Sequence, residues 1–247
     1  MARLLEVCTG SVESVIAARD GGAARFELCS ALEVGGITPS VGLMRLTREV
    51  KDIAMHVLIR PRGGDFLYNE AEIQCMEQDI IAARDCGADG VVIGALTADG
   101  NIDKTTCSRL VKAAQGMNIT FHRAFDMCCD PFRALEEIIE LGCNRILTSG
   151  LAATAEAGIP LIKRLVTTAD GRIMIMPGCG VNATNAARIL QETGATEIHA
   201  SARKSVGSAM LFRHNGVSMG NPDSDEFARK ETDANEVRAI VDAIMRI

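Results

Sequence analysis

One pattern repeats eight times along the chain: a short run rich in branched aliphatic residues precedes a longer amphipathic stretch with helical periodicity. The predicted strands are residues 4–8, 25–29, 55–60, 90–94, 119–122, 145–148, 173–176 and 197–200. The predicted helices are residues 11–20, 40–51, 69–86, 103–115, 131–140, 158–169, 183–193 and 233–246. Eight β/α units in 247 residues match a (β/α)₈ TIM barrel in number and in length.

A doubly wound open sheet is the competing fold, but it usually has fewer strands, and no Gly-x-Gly-x-x-Gly opens the first helix. No linker or low-complexity segment divides the chain, which predicts one domain over residues 1–247. One connection departs from the pattern, because residues 201–232 before the last helix are long and rich in Ser, Asn and Asp. Connections of this length in a compact domain are usually functional, part of an interface, or mobile.

Composition excludes several classes of partner. The formal net charge is −6 and no cluster of Lys and Arg stands out, so we expect neither nucleic acid nor an anionic membrane as a partner. No segment approaches the roughly 18 to 20 apolar residues of a membrane span, and the N-terminus lacks the apolar region of a signal peptide. The nine cysteines are scattered and include no Cys-x-x-Cys, which argues against a disulfide scaffold and favours a reducing cytoplasm.

Charged side chains are predicted inside the barrel. Side chains of a strand alternate between two faces, and in the strands near residues 5, 26, 57, 121 and 198 the apolar set belongs against the helices. The alternate positions then point inward: Glu6, Glu27, Arg60, His122, Glu197 and His199. Barrel interiors are normally filled by Val, Ile and Leu. The set therefore indicates either a structural ion-pair network or a site at the carboxyl ends of the strands, and both alternatives stay open.

Three of these groups suggest an enzyme. Glu27, Arg60 and His122 together offer general acid/base chemistry or a pocket for an anion. Activity in such barrels lies at the carboxyl ends of the strands, where Arg60 and His122 are predicted. The corresponding activity would be that of a lyase, isomerase or hydrolase acting on a small phosphorylated or carboxylated metabolite.

The connections that follow the seventh and eighth strands provide a candidate anion site. Gly178 and Gly180 follow the seventh strand and precede a predicted helix, and Ser201 and Arg203 follow the eighth. These loops commonly bind phosphate in TIM barrels through glycine N–H groups and a helix N-terminus. The glycines are equally well explained by tight turns.

Several motifs resemble the copper homeostasis protein CutC family. They are residues 5–8 (LEVC), 26–30 (FELCS), 33–40 (EVGGITPS), 59–68 (IRPRGGDFLY), 120–126 (TFHRAFD), 147–150 (LTSG) and 199–202 (HASA). The resemblance extends from about residue 4 to at least residue 220. It implies a TIM barrel, a homodimer or homotetramer, a cytoplasmic and in some members nuclear location, and a role in copper handling without an established reaction.

Two cysteines are the candidate copper ligands. Cys8 and Cys29 are each the last inward residue of adjacent predicted strands, and both match the family motifs. Neighbouring strands lie roughly 4.8 Å apart, so we expect the two sulfurs to face each other at the barrel mouth. Thiolates select Cu(I) over harder ions, and two of them can hold it in a near-linear arrangement.

Other interpretations of the cysteines remain. A free cysteine is often a small buried hydrophobe, and the spacing of Cys8 and Cys29 also permits a disulfide. The adjacent pair Cys128 and Cys129 is a weaker metal candidate, because it lies in a loop where an exposed thiol binds ions adventitiously. A non-catalytic scaffold is a third functional class, for which the sequence offers no particular feature.

Overall fold

A computed structural model describes residues 3–214, 216–217 and 225–247. Eight parallel strands form one sheet in the order β7-β6-β5-β4-β3-β2-β1-β8, and β7 and β8 lie side by side so that the ring is nearly closed. The strands are β1 (Leu4–Thr9), β2 (Arg25–Leu28), β3 (Ala54–Leu58), β4 (Gly90–Ile93), β5 (Asn118–Phe121), β6 (Arg145–Thr148), β7 (Met174–Pro177) and β8 (Glu197–Ala200). The predicted TIM barrel is confirmed.

The helices surround the strands in alternation along the chain. They are α1 (Val12–Asp20), α2 (Val41–Arg48), α3 (Glu70–Asp85), α4 (Lys104–Ala114), α5 (Pro131–Glu140), α6 (Ile159–Ala169), α7 (Ala186–Thr193) and α8 (Ala234–Met245). Polar side chains begin most of them, and α3 starts with a capping box in which Asn69 and Glu72 each accept the other's backbone N–H. None of the described helices is long and apolar enough to cross a membrane.

The connection before the last helix contains structure that the sequence did not predict. Two strands, β9 (Arg203–Gly207) and β10 (Ala228–Thr232), pair antiparallel within residues 201–232. Most of their side chains are charged or exposed, so the apolar alternation that marks a strand is missing. Residues 215 and 218–224 of this connection lie outside the described part of the chain.

The main hydrophobic core lies between the strands and the helices. Phe26, Leu28, Ile59 and Phe121 are at most 1% exposed and come from positions that alternate with the inward-facing charged residues. Complete burial of side chains of this size contributes about 1.5–3 kcal/mol each. This packing fixes which face of each strand points inward, and therefore holds the inward-facing charged side chains in place.

Inside the barrel, two arginines neutralise two glutamates. Arg25 forms ion pairs with both Glu6 and Glu197, and Arg145 Nε lies 3.0 Å from Glu197 Oε2. All four side chains are at most 8% exposed. A buried charge is tolerated only when it is paired and hydrogen-bonded, and here the charges balance. The structural-network interpretation is thus correct for Glu6 and Glu197.

His56 is tightly packed beside this ion-pair network. Its side chain is 3% exposed, with Nδ1 3.9 Å from Glu6 Oε2. Burial, together with the charges of Arg25 and Arg145, lowers the pKa of His56 to about 4 against the influence of Glu6. The adjacent position in β4 is Gly90, where a Cβ would lie 2.5 Å from His56 Nε2 and 2.8 Å from the Asn118 carbonyl oxygen. Only glycine therefore fits beside the imidazole.

We expect Gly90→Ala to lower the free energy of unfolding by about 1–3 kcal/mol, because the added methyl group forces apart His56 and the β5 backbone. Urea denaturation measures the effect. Gly207→Ala in β9 is the matched control, since an added Cβ there meets no atom of the described residues within 4 Å. Equal effects of the two substitutions would contradict the packing described for Gly90.

The lowered pKa of His56 predicts a dependence of stability on pH. The folded state disfavours the imidazolium, whereas the unfolded chain binds its proton near pH 6.5, so His56 destabilises the fold as the pH falls from about 6.5 towards 4. When the pH is lowered from 7 to 5, the free energy of unfolding of the wild type should fall by about 2 kcal/mol relative to that of His56→Gln. Urea denaturation at both pH values measures it, and a difference that stays constant would be inconsistent with a neutral buried His56.

Candidate functional site

A cavity of about 160 Å³ opens at the carboxyl ends of the strands. The side chains that line it include Cys8, Glu27, Cys29, Arg60, His122 and His199. The structure therefore brings together both predicted copper ligands and all three predicted catalytic residues. A larger groove of about 1130 Å³ lies between the β9–β10 pair and the loops after β1 and β2, but none of its described lining residues is a cysteine or histidine.

The two thiols occupy successive levels of the barrel mouth. Cys8 lies in β1 and Cys29 directly follows β2; both are free and buried. The register of β1 and β2 places Cys8 opposite Glu27 rather than opposite Cys29, so Cys29 is displaced by one inward position towards the mouth. Burial raises the pKa of Cys29 well above its usual value, and the charges of Glu27 and Cys8 raise it further.

His199 in β8 lies beside Cys8 and Glu27. One ligand atom of each of these three residues lies within 4.8 Å of the other two. His199 Nδ1 is 2.9 Å from Glu6 Oε1, and Nε2 is 3.7 Å from Glu27 Oε2. Burial alone lowers the pKa of His199, but hydrogen bonds with Cys8 and Glu6 and the carboxylate of Glu27 outweigh it and raise the pKa well above its usual value.

Glu6 and Glu27 are both buried glutamates, but they differ in charge balance. Glu6 pairs with Arg25 and His199, which outweigh its burial and lower its pKa. Glu27 has no arginine or lysine within ion-pairing distance among the described residues; its ionic partner is His199. Burial raises the pKa of Glu27 to about 7, with a further contribution from Glu6 and an opposing one from His199. A carboxyl group of this kind can exchange a proton near neutral pH.

Arg60 and His122, which follow β3 and β5, also line the cavity. The Arg60 guanidinium donates to the carbonyl oxygens of Val34, Gly36 and Gly64 at 2.7–3.0 Å and thereby ties the loops after β2 and β3 together. His122 Nδ1 accepts the N–H of Ala124 at 3.1 Å, which leaves the proton of the neutral ring on Nε2. Burial, with the charge of Arg60, lowers the pKa of His122 to about 3.

Of the four residues predicted to form an anion site after the seventh and eighth strands, one lines this cavity. Arg203 lines it, whereas Gly178 packs against the barrel wall, where a Cβ would lie 2.5 Å from Leu147 Cδ1. Gly180 has a φ of +72°, so a turn explains it, and Ser201 is half-buried. Helix α7 begins at Ala186, and the side chain of its N-cap residue Asn185 donates to the Gly180 carbonyl oxygen at 3.0 Å. A phosphate site here stays a prediction.

Sequence reasoning missed two residues that shape the site. Arg25 and Arg145 point inward and neutralise Glu6 and Glu197. The same alternation that places Glu27 inward also places Arg25 inward, two residues earlier, so the sequence pattern could have identified Arg25.

The adjacent pair Cys128 and Cys129 does not line the cavity. Cys128 is buried among core residues, and Cys129 Sγ contacts Asn101 Oδ1 at 3.2 Å.

Comparison with known proteins agrees with this architecture. The model of the CutC family matches residues 3–204. The family protein CutC of Bacteroides thetaiotaomicron is 55% identical over 241 residues, which cover 97% of each chain. The copper homeostasis protein cutC homolog of Homo sapiens is 50% identical over 238 residues, covering 96% of this chain and 87% of the human protein.

A solved structure leads to the same assignment. The crystal structure of CutC from Streptococcus agalactiae superposes with a TM-score of 0.78 at 37% sequence identity, covering 81% of this chain and 98% of that one. The similarity thus includes both the motifs at the strand ends and the barrel that positions them. The chain belongs to the CutC family.

Proposed function

We propose that the protein binds Cu(I) through Cys8 and Cys29 in the cavity at the barrel mouth. The observation that carries the proposal is that two free, buried thiols from adjacent strands line the same cavity of about 160 Å³. Soft thiolates favour Cu(I) over harder ions, and Leu32 and Leu58 form an apolar wall near Cys29. Each thiol releases a proton when the metal binds.

The names of relatives are consistent with this proposal. The human and mouse relatives are both called copper homeostasis proteins, and each is 50% identical to this chain. We infer a role in copper homeostasis for this chain as well. A cytoplasmic location, where free thiols stay reduced, and assembly into a homodimer or homotetramer belong to the same proposal.

The double variant Cys8→Ser, Cys29→Ser should lose high-affinity Cu(I) binding, because serine hydroxyls are poor ligands for a soft ion. Competition against a Cu(I) chelator under reducing conditions, without oxygen, measures the affinity. Each single variant should weaken binding by at least about tenfold, since one thiolate cannot replace two.

Cys75→Ser with Cys86→Ser is the matched control, because it removes two cysteines from the surface of α3 and its C-terminus and leaves the cavity intact. We expect its affinity to equal that of the wild type. If the Cys8, Cys29 double variant competes as well as this control, copper does not bind at these thiols.

An enzyme acting on a small anion is the second candidate function. The favouring observation is that His122 Nε2 and Arg60 Nε are buried and have no hydrogen-bond partner among the described residues, although both side chains line the cavity. Phe66, half-buried, packs against them, with its ring 4.9 Å from that of His122 and 5.1 Å from the Arg60 guanidinium. An oxyanion that moves Phe66 aside would satisfy both donors, with Glu27 available for proton transfer.

Isothermal titration with inorganic phosphate and with pyruvate tests this second candidate. We expect the wild type to bind one of the two probes, and His122→Asn to bind it at least about tenfold more weakly, because a hydrogen bond to a charged group is lost. Asparagine retains an acceptor for the Ala124 N–H, so the turn after β5 is preserved. Absence of binding of both probes to the wild type, or equal binding by the variant, would exclude this use of the donors.

A further inference from the structure

The carboxylate of Glu27 has no role in a two-thiol copper site. Glu27 is 6% exposed and lines the cavity, and among the described residues no arginine or lysine lies within ion-pairing distance. The other two inward glutamates, Glu6 and Glu197, both pair with Arg25. An ionised carboxylate is costly to bury without a cation, and Cu(I) prefers sulfur to oxygen. Among the described residues, the ionic partner of Glu27 is His199, so no arginine or lysine balances its charge.

His199 is held in an orientation suited to metal binding. Its Nδ1 lies 2.9 Å from Glu6 Oε1, which leaves Nε2 on the side of Glu27. Histidine ligands of metal ions commonly make such a second contact to a carboxylate, which fixes the ring and its tautomer. Glu6 is itself fixed by Arg25, so the orientation is set by the interior of the barrel.

The spacing of the donors fits a small cation. His199 Nε2 lies 3.7 Å from Glu27 Oε2, and the ligand atoms of Cys8, Glu27 and His199 lie within 4.8 Å of one another. Ligands of a tetrahedral Zn²⁺ ion are separated by about 3.5 Å, given bonds of about 2.0–2.3 Å. When the ion binds, the Cys8 thiol and the His199 imidazolium each release a proton.

We propose that Cys8, Glu27 and His199 form a site for a borderline divalent cation such as Zn²⁺. One sulfur, one nitrogen and one oxygen ligand suit such an ion, and three protein ligands leave a fourth position open to the cavity, as in catalytic zinc sites. The site shares Cys8 with the copper proposal but does not need Cys29, so the two can fail independently. Arg60 and Arg203 also line the cavity and favour an anionic oxygen donor at the open position.

Titration with Co²⁺ and Zn²⁺ under reducing conditions tests the proposal. The wild type should give the absorption spectrum of tetrahedral Co²⁺ with a thiolate ligand, and Zn²⁺ should displace the Co²⁺. Glu27→Gln and His199→Gln should each weaken Zn²⁺ binding by at least about tenfold and change the Co²⁺ spectrum. Glu27→Gln replaces a buried carboxyl group, whose ionic partner is His199, by an amide of the same size, so we expect the variant to fold.

A second pair of measurements separates this site from the copper site. Cys29→Ser should retain Zn²⁺ affinity within about threefold of the wild type and bind Cu(I) more weakly. Glu27→Gln should retain the Cu(I) affinity of the wild type and bind Zn²⁺ more weakly. The proposal is overturned if the wild type shows no tetrahedral Co²⁺ spectrum, if Glu27→Gln binds Zn²⁺ as tightly as the wild type, or if Cys29→Ser weakens Zn²⁺ binding as much as Glu27→Gln does. Thermal denaturation of each variant confirms that the comparison is made between folded proteins.

Discussion

The ion pairs between Arg25 and the two glutamates Glu6 and Glu197 support the whole cavity above them. They allow charged side chains to remain inside a barrel that is normally filled by aliphatic residues. Glu6 has a second role, because its other oxygen contacts His199 and fixes that ring beneath the cavity. Removal of Arg25 would leave Glu6 without an arginine partner and Glu197 with Arg145 alone. The site thus depends on a charge balance deeper in the barrel, formed by residues that do not line the cavity.

Above this layer, the cavity has two walls of different chemistry. Cys8, Cys29 and His199, side chains of the types that bind soft and borderline metal ions, lie on and beside β1, β2 and β8. Hydrogen-bond donors, Arg60 and His122, follow β3 and β5 and make up the second wall. The parallel direction of all eight strands places these residues at one end. A metal ion on the first wall and an anion on the second are therefore compatible, and neither needs a change of fold.

Much of this arrangement could be predicted from the sequence. Strand and helix positions follow from hydrophobic periodicity, and alternation within strands places Glu6, Glu27 and His199 inward correctly because the opposite faces are uniformly apolar. The same alternation could have identified Arg25. The β9–β10 pair could not be predicted, because its strands are charged and exposed and have no apolar face. The one-position offset between Cys8 and Cys29 depends on the register of β1 against β2, which local patterns do not determine.

A crystal structure of the protein loaded with Cu(I) under reducing conditions tests the central claim most directly. Anomalous scattering at the copper edge locates the ion without reference to its ligands. The arrangement of the thiols predicts one strong peak in the cavity within bonding distance of both Cys8 Sγ and Cys29 Sγ. A peak elsewhere on the protein, or bonding to neither sulfur, would contradict the proposal that these two thiols form the copper site.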